Sequence, residues 1–260
     1  MLIKEDKSAA RRETDMTMVA VLADPPVEGV VLDELTPDPL SPGQAAELYG
    51  AMLADICGTI QQGKGDLLVN YRPSEQVPAD VDSEKRLRDL LDEELPDAER
   101  ARYEPQVGQT YAGRVGNTLT HLLETEGEET VAVVEPTAAF LRRDHVGSAM
   151  MKLRTNEVVL GPAPGGRVAL AAFDDPIDFE DAYATPAVET LTARGLDAGL
   201  DVEFISMTPL VETPADLTTA VALLRARTQA GRIVPPRTAA LIERWGLTVD
   251  DDGTVSPPEP

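Results

Sequence analysis

The chain has 260 residues, with 46 acidic and 23 basic side chains and a formal charge of −23; it is long enough to bury a core in one large domain or two small ones. That charge argues against nucleic acid and against an anionic membrane surface as partners, because both need a basic face. One cysteine and two histidines exclude a disulfide framework and a Cys/His zinc site, and no apolar run approaches the ~20 residues of a membrane span.

Residues 1–15 are charged, lack a signal-peptide core and are expected to be disordered. Met16 and Met18 stand directly before the first strand as alternative starts. Thr17 to Ala23 is short and apolar and predicts a buried strand. An acidic, proline-rich loop, Asp24–Leu40, follows it. Ser41-Pro42-Gly43-Gln44 is a capping box with proline at the first helical position. The helix it opens carries Leu48, Met52, Leu53, Ile56 and Ile60 at helical spacing. Asp66 to Tyr71 predicts a second strand and Asp82 to Leu95 a strongly charged helix. That helix reads as a solvated face or a partner surface. The stretch to Gln109 has no clear period, and Gly113 to Glu124 predicts a helix.

Thr130 to Val134 is β-branched and predicts a third strand. Ala138 to Arg154 predicts a helix with Met150 and Met151 in the core. Glu157 to Leu160 is a fourth strand, ending in the glycine-rich run Gly161–Gly166. Val168 to Phe173 is a fifth and Val202 to Met207 a sixth. Thr185-Pro186 and Thr213-Pro214-Ala215-Asp216 each read as a helix start. A helix over Arg237 to Trp245, a hairpin turning at Asp250–Gly253 and a proline-rich tail complete the chain. The organisation expected is a 16–227 domain with a 228–260 extension. Arg225, Arg227, Arg232 and Arg237 form a basic run that either pairs with acids of this chain or contacts an acidic partner or a second subunit.

Strands alternating with capped helices predict an α/β fold, with a mostly parallel sheet covered on both faces. Ligands of such sheets bind outside the carboxyl ends of the strands. That singles out Asp24–Leu40, Glu135–Thr137, Gly161–Gly166 and Thr208–Thr213. There is no P-loop, no dinucleotide fingerprint and no nucleophile elbow. His121 and His145 read as surface or satisfied histidines, and Cys57 reads as packing. Eighteen arginines against five lysines, with acids spread along the whole chain, suit molar salt, where the Debye length is ~3 Å. The expected setting is a salt-accumulating cytoplasm such as a haloarchaeon's.

Three stretches together resemble one family. They are ADPPVEGVVLDELTPDPLSPGQAAELYGAMLAD, NEVVLGPAPGGRVALAAF and ATPAVETLTARGLDAGLDVEFISMTPLVETPADL. Their order and spacing are similar to an uncharacterised glycosyltransferase-A-like family. It is related to 2-phospho-L-lactate guanylyltransferases and other nucleotide-diphospho-sugar transferases. The resemblance implies a three-layer α/β/α fold with a mixed sheet, a nucleotide or nucleotide-sugar ligand and a Mg²⁺ or Mn²⁺ ion. It also implies nucleotide contacts from Gly29, Arg114, Gly161, Gly165 and Gly166, and metal ligation by Glu135 and Glu212.

The departures from the family pattern concern charge. The family's first loop reads Lys-x-Pro-x-Pro-Gly-x-x-Lys-Thr-Arg-Leu and cradles phosphates. Here Pro26, Gly29 and Leu35 keep its frame. Asp24 replaces the first lysine, and Leu32, Asp33 and Glu34 replace the Lys-Thr-Arg triplet. A pair of like charges at ~4 Å costs ~4 kcal/mol at an effective dielectric of about 20, so this loop repels a triphosphate unless metals intervene. The family's Ser-Asp-x-Pro turn has become Val134-Glu135-Pro136-Thr137. Its Glu-Asp-Gly-Gly has shrunk to Pro164-Gly165-Gly166, and its Asp-Val-Asp is Leu210-Val211-Glu212. The leading expectation is a decayed or repurposed nucleotide site in a binding or interaction protein, with a protein partner or a homo-oligomer as further options. The alternative is an active metal-dependent nucleotidyl- or glycosyltransferase using Glu135 and Glu212. A purely structural account makes Glu212 and Asp216 acids at a helix N-terminus and Glu135 a solvated strand-end acid.

Overall fold

The computed structural model describes residues 17–63, 65–78 and 80–256. The N-terminal segment expected to be disordered, with its alternative start at Met16, lies outside the described residues. Seven strands form one sheet: β1 (Met18–Ala23), β2 (Asp66–Tyr71), β3 (Arg102–Pro105), β4 (Val131–Val134), β5 (Val158–Ala163), β6 (Arg167–Phe173) and β7 (Val202–Phe204). Their order is β3-β2-β1-β4-β6-β5-β7. β6 runs antiparallel to both its neighbours and every other pairing in the sheet is parallel.

The strands alternate their side chains between two cores, as period two requires. Val19, Val21, Ala23, Leu67, Val69, Ala132 and Val134 point to one face. There they meet α1 (Pro42–Gln62), α2 (Ser83–Leu91) and α4 (Arg143–Lys152). Met18, Ala20, Leu22, Leu68, Val131 and Val133 point to the other. There they meet α3 (Tyr111–Thr120) and α5 (Ala187–Asp197). The result is a three-layer α/β/α sandwich around a mixed, mostly parallel sheet.

A third core explains why α1 is buried almost all round. Its Leu53, Ile56 and Ile60 face the sheet, whereas Leu48 and Met52 turn outward. They pack with α6 (Pro214–Gln229), α7 (Pro236–Trp245) and the hairpin β8 (Thr248–Val249)–β9 (Val255–Ser256). Asp55 of α1, with its side chain 2% exposed, fixes α7 in place. It accepts hydrogen bonds from the backbone N–H of Arg237 at 3.1 Å and of Thr238 at 2.8 Å, which are otherwise orphan donors at a helix start. The capping box expected at Ser41 is formed, and the helix start expected at Thr213 is closed by a capping box too.

Several elements differ from the sequence expectation. β3 lies in the stretch without a clear period. α4 begins at Arg143, not at Ala138, because residues 138–141 are buried and form a turn ahead of it. Ala138 and Leu141 enter the sheet core, while Ala139 and Phe140 enter the α6–α7 core. β5 runs through Gly161 to Ala163, and Pro164–Gly166 is a tight turn into β6. α5 starts at Ala187 with no side-chain cap from Thr185. Met151 is 68% exposed, outside the core expected for it. No helix among the described residues is long and apolar enough to cross a membrane.

Candidate functional site

Adjacent parallel strands β1 and β4 end together, and each releases a carboxylate at its carboxyl end. After β1 comes Asp24, whose backbone N–H donates to the hydroxyl of Tyr49 at 2.8 Å. After β4 comes Glu135, whose backbone N–H is tied to the carbonyl of Ala169 at 3.0 Å. The loop after β1 folds back and brings Val30–Glu34 over these groups. The segment after β7 arrives from the other side, held by the Val211 N–H on the Thr137 carbonyl at 3.1 Å, and delivers Glu212. The first turn of α3 contributes Tyr111 and Arg114, and Gln106 enters from the end of β3. Together they line a cleft of about 350 Å³. A second hollow of about 250 Å³ shares Tyr111, Glu135 and Glu212 with it and continues to Arg167 and Tyr183.

Within the cleft, each deep carboxylate has a partner from this chain. Arg72, just past β2, places Nε 2.9 Å from Oδ1 of Asp24. Burial nevertheless raises the Asp24 carboxyl above its ordinary value, against the pull of Arg72 and Arg114. Glu135 accepts a hydrogen bond from the Tyr111 hydroxyl. Its carboxyl is pushed up to about 8, first by burial and further by Glu212 and Asp24, although the Tyr111 bond and Arg114 work the other way. Burial and the neighbouring carboxylates thus favour the protonated form of Glu135.

Glu212 is held on both oxygens. Thr137 Oγ1 donates to Oε1 at 2.7 Å, and Arg167 Nη1 donates to Oε2 at 2.8 Å. The same guanidinium grips Asp216 with two bonds, at 2.7 and 2.8 Å. Burial works against ionisation of Asp216, but hydrogen bonds from Arg167 and Thr213 hold its carboxyl below the ordinary value.

Two polar atoms of the cleft lining are left over. Gln106 is 3% exposed. Its Nε2 donates to the Asn70 carbonyl at 2.7 Å, but its Oε1 is buried without a partner. Arg114 donates from Nη1 to the Gln109 carbonyl at 3.4 Å, and its Nε is buried without a partner. A buried polar group without a partner costs ~1–3 kcal/mol. A ligand that offers a donor to Gln106 and an acceptor to Arg114 removes that cost.

Of the residues singled out in the sequence, Glu135, Glu212 and Arg114 come together in one cleft. The four glycines do not line it. Gly29 has a left-handed backbone with open space around it. Gly161 lies inside β5, where an added Cβ would stand 3.1 Å from Ile205. Gly166, at φ +75°, would bring a Cβ to 2.6 Å from Pro186 Cβ. Arg72, Gln106, Tyr111 and Arg167 escaped the sequence reading, whereas Thr137 lies in the strand-end loop it singled out. Tyr111 and Gln106 flank a helix cap and a strand end, which is the only local signal they carry.

The carboxylates of the cleft do not fit a divalent ion as they stand. Glu135 is bonded to Tyr111, and each oxygen of Glu212 already accepts a hydrogen bond, from Thr137 and from Arg167. Among the described residues, one set of three metal-type ligands converges elsewhere, at Glu104, His121 and Glu126. There Arg102 already bonds Glu126 at 2.8 and 2.9 Å and also contacts Glu104. A larger groove of about 1240 Å³ runs between α1, α2 and α7, but it holds none of the strand-end groups.

No protein-family model matches the chain, and no curated protein matches it. Among solved structures, a candidate nucleotide-diphospho-sugar transferase from Desulfovibrio desulfuricans G20 aligns with a TM-score of 0.72 at 19% identity, over 88% of this chain and 95% of that one. A 4-diphosphocytidyl-2C-methyl-D-erythritol synthase from Anaerococcus prevotii DSM 20548 gives a TM-score of 0.49 at 14% identity, over 80% of this chain and 96% of that one; so low a score carries no further argument. At these identities the likeness speaks to fold alone, and the fold is the glycosyltransferase-A-like fold of nucleotide-diphospho-sugar transferases.

Proposed function

We propose that this chain is a binding protein on a transferase fold, a divergent relative of the glycosyltransferase-A-like family, whose nucleotide site has been repurposed. The cleft takes a nucleoside or nucleotide-sugar by its uncharged part and works without a divalent ion. One observation carries this reading: the deep carboxylates of the cleft are already partnered by this chain, Asp24 by Arg72, Glu212 by Arg167 and Glu135 by the Tyr111 hydroxyl. A site in that state offers no ligand set to Mg²⁺ or Mn²⁺. It also offers a triphosphate only Arg114, with Asp33 and Glu34 at the rim opposing it. Gln106 Oε1 and Arg114 Nε supply the acceptor and the donor for a heterocycle or a sugar hydroxyl. In this reading Gly29, Gly165 and Gly166 shape turns, and Gly161 makes room for Ile205.

A second reading, a metal-dependent nucleotidyl- or glycosyltransferase, is favoured by the meeting of Glu135, Glu212 and Arg114 in one cleft. It requires Glu135 to leave Tyr111 and Glu212 to leave Arg167. Calorimetry in molar KCl with nucleosides and with UDP- and GDP-sugars tests the proposal. The expected result is saturable binding of at least one of them, weakened about tenfold or more, which is ~1.4 kcal/mol, by both Gln106→Leu and Arg114→Gln. Absence of binding by the folded protein, or binding that neither variant alters, overturns it.

A further inference from the structure

The chain leaves the cleft at Thr137 and reaches a separate pocket at Phe140. That pocket, about 410 Å³, lies between the C-terminal half of α1, the start of α4 and residues 233–237 ahead of α7. Four arginines line it, in a chain of net charge −23. Two are committed elsewhere. Arg142 bonds the Asp144 carboxylate at 2.6 and 2.9 Å, and Arg237 is taken by Glu94 and Asp55. Asp55 in turn is occupied by the start of α7. That leaves Arg143 and Arg227, neither of which forms an ion pair with a carboxylate among the described residues. Two guanidiniums without a carboxylate partner thus share one pocket.

The surroundings reinforce the positive field. Arg227 sits 5.8 Å over the ring of Phe140, which orients its guanidinium. α4 begins here with Arg142 at its N-cap, whose side chain caps none of the first-turn N–H groups, so the positive end of the helix dipole lies at the pocket, with Asp144 of the first turn held by Arg142. The His145 imidazole is held below its ordinary value by burial and then by Arg142, with Asp144 opposing and Arg227 adding to the effect. Pro235 and Pro236 line the pocket as well, together with Ile233, which is 77% exposed.

We infer that this pocket binds the phosphate monoester of a small organic phosphate, with Arg143 and Arg227 on the phosphate and the Ile233–Pro236 wall on the organic part. A monoester carries about −1.5 to −2 charges at pH 7, which two guanidiniums match, and the fork of arginine fits phosphate oxygens. The volume lies within the range of small-molecule sites. The site is independent of the cleft reading, because it shares no lining residue with the cleft. The organic part distinguishes a sugar phosphate from a nucleoside monophosphate.

Calorimetry in molar KCl with inorganic phosphate, phenyl phosphate, glucose 1-phosphate and AMP tests it. At least one organic phosphate is expected to bind saturably and more tightly than inorganic phosphate. Arg143→Gln and Arg227→Gln should each weaken it about tenfold or more, whereas Arg114→Gln should not. The tightest ligand then names the organic part. Arg143 is exposed, so Arg143→Gln keeps the test open even if loss of the Arg227–Phe140 contact disturbs folding. The proposal fails if no organic phosphate binds, if Arg143→Gln leaves binding unchanged, or if only Arg114→Gln abolishes it.

Discussion

Arg167 Nη1 lies 2.8 Å from Oε2 of Glu212 and so holds, at the head of β6, the carboxylate that the family resemblance assigns to a metal. A built-in cation thus stands beside the position expected for a divalent one. Two of its nitrogens also bond Asp216, so Arg167 ties the start of β6 to the start of α6 across 49 residues of sequence.

Removing that guanidinium leaves two carboxylates facing each other in a half-buried place. Arg167→Met is expected to cost about 2–3 kcal/mol of stability. Mn²⁺ should recover part of the loss, because it then finds Glu212 and Asp216 without a competitor. Urea unfolding of the variant with and without Mn²⁺ checks both points; wild-type stability should not respond to the ion.

Glu135 makes stability depend on pH. Its carboxyl titrates near 4.5 ordinarily and near about 8 in the folded protein. Between those values the folded state keeps a proton that the unfolded state has released. Stability from this group is therefore complete below pH 4.5, falls as pH rises towards 8 and levels off above it. Melting curves from pH 5 to pH 8.5 should show wild type losing about 2–4 kcal/mol relative to Glu135→Gln. Parallel curves for the two proteins would mean that Glu135 is ionised in the fold.

Asp55 is the hinge pin of the C-terminal extension. Asp55→Ala leaves the Arg237 and Thr238 N–H groups and the Thr238 hydroxyl without their acceptor. The expected cost is about 3 kcal/mol. Hydrogen exchange should show protection lost first in α7 and the β8–β9 hairpin, with the seven-stranded sheet still protected.

Two neighbouring glycines separate backbone strain from crowding. Gly165 and Gly166 share φ +75°, but only Gly166 would put a Cβ against Pro186. Gly165→Ala should cost about 1 kcal/mol, and Gly166→Ala roughly 1–3 kcal/mol more. Neither should alter ligand affinity, since neither residue lines the cleft. Guanidinium unfolding with parallel calorimetry reads both quantities.

The layers were legible in the sequence because buried central strands such as β1 and β4 are short apolar runs bounded by polar loops, and because Ser41 and Thr213 announce their helices. β3 was not legible. Its sequence Arg-Tyr-Glu-Pro is half-exposed at the sheet edge, where pairing rather than hydrophobic pattern makes the strand. Residues 138–141 misled because a buried apolar turn imitates the apolar side of a helix. For the cleft, Glu135, Glu212 and Arg114 were legible from their motif positions. Their state was not, since Arg72 lies 48 residues from Asp24 and Arg167 lies 45 from Glu212, and only the sheet order brings them together. The basic run near the C-terminus divides in the same way: Arg237 pairs with acids, and Arg227 does not.

The central claim is that groups of this chain, and not a metal, balance the charge of the cleft. Calorimetric titration of a sugar nucleotide in molar KCl, once with Mg²⁺ and once with EDTA, tests it most directly. The account predicts the same Kd in both, within about twofold (~0.4 kcal/mol). A Kd that tightens about tenfold or more when Mg²⁺ is present would contradict it and restore the metal-dependent transferase.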